Sequence, residues 1–305
     1  MKKYILKRFF QALICLIGVT IVIFSLTRLS GDPVLLMVSP EATKADIEQM
    51  RKTLGLDKPY YVQYMSYMSR AVRGDFGKSL RWDRPNLDLF LERFPRTLML
   101  AFAAMAFAVC VGIPVGVLSA VRVGSWFDSF GKVFAFLGQA MPTFWCGIML
   151  ILVFAVELRI LPTSGTGTWK NLIMPSFTLG WYVTAAFARL SRSAMLDVID
   201  SEYIKMARLI GVSEWVIVAK YAFKNAFIPI LTLGAMNFVI LLNGTVVTET
   251  VFNWPGIGRL VVDAIHTRDF PVVQTCVLIA SGLFISVNLL VDILYAYIDP
   301  RIRYQ

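Results

Sequence analysis

Gly74-Asp75-Phe76-Gly77-Lys78-Ser79 looks like a nucleotide site. A phosphate-binding loop places four residues between its first glycine and the Gly-Lys-Ser/Thr that follows, so that backbone N–H groups close around the phosphates. Here only two residues stand between them. The expectation is that this chain binds no ATP and carries no cofactor, and that any ATP driving it, with its magnesium, sits on another subunit. His266 is the only histidine, without cysteines around it to complete a metal site and without a place in a serine–histidine triad. Cys15, Cys110, Cys146 and Cys276 fall inside or at the edges of apolar runs, with no CxxC spacing, which argues against a disulfide framework. Arg28, Glu157, Glu249 and Asp292 lie near the ends of apolar runs, where snorkelling or a bond between helices accounts for an ionisable group. Glu249 stands out because it precedes a turn rich in aromatics and glycine. Phe252, Trp254, Pro255, Gly256 and Gly258, together with Glu249, are expected to shape an outer gate or a docking site. No chain of acidic groups runs through the apolar segments, which weakens a proton-driven mechanism.

The elements that hold these residues follow from composition. The chain has 305 residues, 57% hydrophobic and 16% charged, far too apolar for a soluble protein of this length. An all-α membrane protein is expected, with six spans near 9–29, 98–121, 133–156, 172–190, 228–250 and 276–298. Each is long enough as a helix to cross a hydrocarbon core, which takes about 20 residues. The N-terminus resembles a signal peptide, but the run from Phe9 to Leu29 lacks an obvious small-residue cleavage site and reads as an uncleaved first span. With that end in the cytoplasm, fourteen lysines and arginines flank the inner side and four lie in the short outer loops. This asymmetry sets both termini inside and explains the net charge of +10 without nucleic acid. The chain then divides into 1–29, an extracytoplasmic segment 30–97, a core 98–298 with a cytoplasmic loop 191–227, and a tail 299–305. In the outer segment, Pro40–Leu56 reads as a helix ending at Gly55, and Tyr60–Arg73 as an aromatic-rich stretch lying along the interface, where tyrosine is favoured. Gly112 and Gly116 form a small-xxx-small pattern around Pro114, suited to close helix packing either within the subunit or between subunits. Pro142 is expected to bend the third span.

The cytoplasmic loop is too apolar and too periodic to be slack. Tyr203, Met206, Ala207 and Ile210 fall on one helical face beside Lys205 and Arg208. Gly211 suits a helix end and Ser213 the cap of a second helix. The result is a helix–corner–helix elbow, either a docking surface that transmits force or an amphipathic connector on lipid headgroups.

Glu202-Tyr203, Ala207-Arg208, Gly211, Ser213 and Asn225-Ala226 through Pro229 resemble the "EAA" loop of ABC-importer permeases. Gly31-Asp32-Pro33, Leu54 to Pro59, Gly74 to Gly77, Trp254 to Arg259, Arg268 to Pro271 and Asp299-Pro300-Arg301 resemble the first-permease branch of the dipeptide/oligopeptide/nickel family, over nearly the whole chain. Tyr221 and Thr275 depart from it, standing where histidine and glycine are common. The resemblance implies a type I ABC importer transmembrane fold in the bacterial or archaeal inner membrane. It also implies a heterodimer with a paralogous permease, two cytoplasmic ATPases, and an extracytoplasmic binding protein that delivers peptides or related solutes. Nickel or metal chelates, glutathione and oligosaccharides are the alternative cargoes. On this resemblance Glu202, Tyr203, Ala207, Arg208, Gly211, Ser213, Asn225 and Pro229 form the ATPase-coupling loop. Ala207 would give close approach to the ATPase and Arg208 would pair with its acidic groups. An autonomous secondary transporter needs no such surface, and a membrane-embedded enzyme would need a catalytic constellation absent here.

Overall fold

The structure, a computed structural model, describes residues 2–29, 34, 43–53 and 55–298. Gly31-Asp32-Pro33, Leu54, the start of the Pro40–Leu56 helix and the 299–305 tail lie outside the described residues. Every regular element among the described residues is a helix. They are α1 Lys2–Leu29, α2 Lys44–Thr53, α3 Tyr60–Ala71, α4 Asn86–Val121, α5 Trp126–Ala140, α6 Thr143–Leu150, α7 Lys170–Ile199, α8 Glu202–Leu209, α9 Glu214–Val216, α10 Phe223–Val251, α11 Ile257–His266 and α12 Phe270–Ile298. Two π-helical stretches, Ile151–Glu157 and Ile217–Ala222, continue α6 and join α9 to α10.

Among the described residues, four helices are long and apolar enough to cross a membrane, and a fifth span counts if α5 and the helix from Thr143 to Glu157 are taken as one. Those two meet at 105°. The break falls at Met141-Pro142, because Pro142 has no N–H to continue the ladder and sits as the extended cap of α6. The expected third span is therefore a bent pair. The expected fourth span lies in α7, a 30-residue helix, which at about 1.5 Å per residue is long enough to cross. It is less apolar than the others because Ser176, Thr178, Thr184 and Ser191 are buried on it and it packs against α5, α6 and α10. Lipid tails are as apolar as leucine, so helices in a membrane are held by close packing of small residues. Phe102, Phe136 and Ile240 accordingly face outward, while Ala101, Ala104, Ala108 and Ala188 are buried.

The chain forms two compact units. One comprises residues 96–255. Within it, Gly112 and Gly116 of α4 both face α7. A Cβ on Gly112 would stand 2.5 Å from the Thr184 carbonyl oxygen, and one on Gly116 would meet the Ala188 carbonyl. Gly180 of α7 approaches Ala104 of α4 in the same way, at 2.6 Å. Of the two readings of this glycine pattern, the structure shows packing inside the subunit.

The other unit comprises residues 1–95 and 256–305. Here α1 packs on α12, with Arg8 Nε 3.4 Å from Asp292 Oδ2, which supplies the partner expected for that intramembrane carboxylate. Thr43 and Asp46 cap α2 reciprocally, with Thr43 N donating to Asp46 Oδ2 at 2.9 Å and Asp46 N to Thr43 Oγ1 at 3.3 Å. Gly55 follows at φ +66°. Tyr64 and Tyr67 of α3 pack on Phe24 of α1. The Gly74–Ser79 segment is a turn whose Ser79 hydroxyl donates to the buried Asp269 carboxylate at 2.5 Å. Thr275, where glycine is common in similar chains, donates to the Pro271 carbonyl at 2.8 Å and the Phe76 carbonyl at 3.4 Å. The phosphate-loop look-alike is a structural anchor.

Candidate functional site

The elbow forms as a stiff corner. α8 begins at the extended Ser201 and ends in a left-handed Gly211, φ +83°. Val212 N–H donates to the Ala207 carbonyl at 3.1 Å and Gly211 N–H to the Arg208 carbonyl at 3.0 Å, the paired bonds of a Schellman ending. A Cβ at Gly211 would touch nothing within 4 Å, so glycine is needed there for its backbone angle alone. Ser213 occupies the N-cap position of α9 as expected, but its side chain makes no capping bond. Arg208 Nε donates to Glu214 Oε1 across the corner at 2.7 Å, and this carboxylate holds the Arg208 guanidinium above its usual pKa. Lys205 pairs with Glu202 at 2.8 Å.

The face of α8 is rotated from the one read in the sequence. Ile204 and Ala207 point inward, Ala207 being 6% exposed. They join Ala120, Met195, Ile217, Ala222 and Ala226 in one cluster. Ala207 thus gives close approach to its own chain, and Arg208 pairs within its own chain. The large apolar side chains exposed here are Met206, Leu209, Ile210 and Trp215, with Leu209 82% and Trp215 77% exposed, and the Tyr203 ring is exposed as well. Asn225 Nδ2 donates to the Tyr203 hydroxyl at 2.8 Å and to the Tyr221 carbonyl at 3.0 Å, tying the elbow to the start of α10. Tyr221 takes part through its backbone, so its departure from histidine leaves this tie intact. Pro229 lies inside α10, where the missing N–H frees the carbonyl of Asn225.

Next to this cluster the structure shows an ion network that the sequence did not disclose. The buried Asp128 carboxylate accepts from Arg192 Nε at 2.7 Å and NH2 at 3.2 Å, from Lys132 Nζ at 2.9 Å, and from the Gly124 N–H at 3.1 Å. Lys132 follows Asp128 at helical spacing, a readable signal. Arg192 lies 64 residues away, with no local cue.

The expected gate is closed inside the fold. Glu249 is 0% exposed and Trp254 1%, and Phe252 is buried as well. Thr97 Oγ1 donates to Glu249 Oε1 at 2.7 Å. Trp254 N–H donates to the Glu249 carbonyl at 2.8 Å, and Trp254 Nε1 to the Arg96 carbonyl at 3.0 Å. Phe252 and Val251 press on Gly147. Pro255 is half-buried, and Gly256 and Gly258 are buried around the start of α11. The aromatic turn is a latch between α4 and α10 rather than an open contact surface, because the Trp254 indole fills a core, Phe252 is buried, and the Glu249 carboxylate and Trp254 Nε1 are bonded within the chain. His266 is exposed, all four cysteines are free, and no cluster of metal-ligating side chains occurs among the described residues.

Comparison with known proteins agrees with this architecture. Residues 112–304 match the family described as binding-protein-dependent transport system inner membrane component, and residues 1–101 match its N-terminal companion. The chain is 44% identical over 306 residues to the glutathione transport system permease protein GsiC of Escherichia coli K12, covering 100% of both chains. It is equally similar to the GsiC protein of Shigella dysenteriae. Among solved structures, an inward-facing MetNI methionine ABC transporter matches with TM-score 0.58 at 18% identity, over 69% of this chain and 96% of that one. An amino acid ABC transporter with histidines matches with TM-score 0.54 at 15% identity, over 69% and 94%.

Proposed function

The chain belongs to the binding-protein-dependent transport system inner membrane component family, and on that premise we propose that its elbow is the surface through which an ATPase drives it. As a member, it is a multi-pass permease subunit of an ABC importer in the inner membrane. Its family works with a substrate-binding protein and with separate ATPase subunits that hydrolyse ATP.

The observation that carries the coupling role is the two-sidedness of α8. Its inner face is locked to α4, α7 and α10 through the cluster around Ile204 and Ala207. Its outer face leaves Met206, Leu209 and Ile210 uncovered, an apolar patch suited to a groove on a partner. Closure of the ATPases around ATP and magnesium pushes this face, and the inner cluster and the Asn225–Tyr203 bond pass the push into α10. The spans then rock between inward- and outward-open. Lysine and arginine asymmetry supports a cytoplasmic elbow and cytoplasmic termini. The pore is completed by a paralogous permease, and the two permeases meet one ATPase each.

The cargo class is small peptides. The glutathione permeases that match this chain along its full length support glutathione, itself a tripeptide, as the first substrate to test. The test is reconstitution of the full complex with Leu209→Asp in this subunit. ATP hydrolysis and uptake of labelled glutathione are expected to uncouple while membrane insertion stays intact. Unchanged coupling would remove the elbow from the mechanism, and uptake of other small peptides without glutathione would reassign the cargo.

A further inference from the structure

In the unit of residues 1–95 and 256–305, a cavity of about 620 Å³ lies between the end of α1, α3, the Gly74–Ser79 turn and the start of α12. Its ionisable lining is Arg28, Lys58, Arg70 and Lys78 against Asp75 and Asp83, an excess of positive charge. Three residues of the lining carry buried polar atoms without a hydrogen-bond partner among the described residues: Gln63 Oε1, the Tyr67 hydroxyl and Gln274 Nε2. The Gln63 amide is oriented, since its Nε2 donates to the Leu56 carbonyl at 3.1 Å and the Lys58 carbonyl at 2.7 Å. That leaves Oε1 as an acceptor. Burial pushes the Tyr67 hydroxyl pKa up, so it keeps its proton and stays a donor. The cavity therefore offers cations and donors for an anion and one acceptor for a hydroxyl.

A second hollow of about 500 Å³ shares Phe24 and Arg28 with the first. The rest of its lining is mainly apolar or aromatic, from Ile21 and Leu29 of α1 and Tyr60, Tyr61 and Tyr64 of α3. It continues onto the exposed side chains of Ile14, Ile17 and Ile21, whose spacing puts them in one stripe along α1. From Ile14 to Arg28 this stripe runs about 20 Å at the helical rise, enough to cover one leaflet, half of a hydrocarbon core about 30 Å thick, and to reach the headgroups. Arg28 stands one residue before the end of the apolar span, at the depth where headgroups and tyrosines meet water.

We propose that the two hollows together hold one anionic phospholipid, its phosphate among Arg28, Arg70 and Lys78 and one acyl chain along Ile21, Ile17 and Ile14. A headgroup with a free hydroxyl, as in phosphatidylglycerol, matches the acceptor at Gln63. A soluble phosphate or carboxylate would use the charged cavity and leave the apolar hollow uncovered, which is why a lipid fits better. The site is independent of the import reading, because its test reads lipid rather than transport.

The test is the assembled complex in nanodiscs of equal phosphatidylglycerol and phosphatidylethanolamine, extracted in detergent, with retained lipid measured by mass spectrometry. Phosphatidylglycerol is expected to be enriched over the bulk mixture. Arg70→Ala combined with Tyr67→Phe should lower its retention about tenfold, the size of one lost charge-assisted bond. Ile21→Trp, on an exposed position that folding tolerates, should lower retention with every charge in place. Retention at the bulk ratio, or retention unchanged by both variants, overturns the proposal. So does displacement of the lipid by soluble glycerol phosphate at equal concentration, which would assign a free anion. Crosslinking of an Ile21→Cys variant to the second permease in place of lipid would also overturn it.

Discussion

The elbow and the latch stand at opposite ends of one helix, α10, and both are apolar, aromatic and turn-rich, yet they present themselves in opposite ways. The elbow leaves Leu209, Ile210 and Trp215 uncovered, while the latch hides Phe252 and Trp254 and satisfies Glu249 and the Trp254 indole with groups from α4. The difference is in the partners the chain itself supplies. Where α4 provides a hydroxyl and a carbonyl in reach, the aromatic turn becomes core. At the elbow, the outer apolar side chains find no cover in the fold, and a second molecule is the natural source of it.

This contrast can be broken by substitution. Trp254→Ala should have the largest effect on stability, about 3–5 kcal/mol for a buried large aromatic, read as a lowered melting temperature of the purified complex. A Trp254 variant as stable as the parent would put the latch on the surface. Thr97→Val removes the donor to the buried Glu249 oxygen and should cost about 1–3 kcal/mol, seen in the same melt. Gly211→Ala has space for its methyl group but must hold a left-handed backbone, costing about 1–2 kcal/mol. Its signature is a greater loss of ATPase-coupled uptake than of melting temperature. Glu214→Gln opens the Arg208 pair across the corner. At that exposure it should shift stability by under about 1 kcal/mol, and less in high salt. Trp215→Ala should leave stability within about 0.5 kcal/mol while weakening co-purification of the ATPases. Retained co-purification would narrow the docking patch to α8 alone.

The helical class, the elbow corner at Gly211 and the break at Pro142 were legible because each rests on a local rule of backbone or periodicity. The face of α8 was not. Tyr203, Met206 and Ile210 are apolar or aromatic like Ile204, and periodicity gives the stripe but not which neighbour covers it. Ala207 is inward because Ala120 and Ala226 come to meet it, from positions far away in sequence. The partners inside the latch were not legible for the same reason. Glu249 reads as an intramembrane acid explained by snorkelling or by a bond between helices, and nothing local shows that the bond comes from Thr97, 152 residues earlier. Ser79 and Asp269 share that history, 190 residues apart, each conspicuous alone and explicable only as a pair.

The backbone-to-backbone approach of α4 and α7 at Gly112, Gly116 and Gly180 has a mechanical consequence. Side chains between packed helices can change rotamer and act as a soft spacer, but glycine against a carbonyl leaves nothing to compress. Along this seam the two helices make a single spar, which can tilt as a body but cannot shear between its halves. Whatever displaces the foot of α7, where Met195 meets the elbow cluster, therefore swings α4 through the same angle without lag.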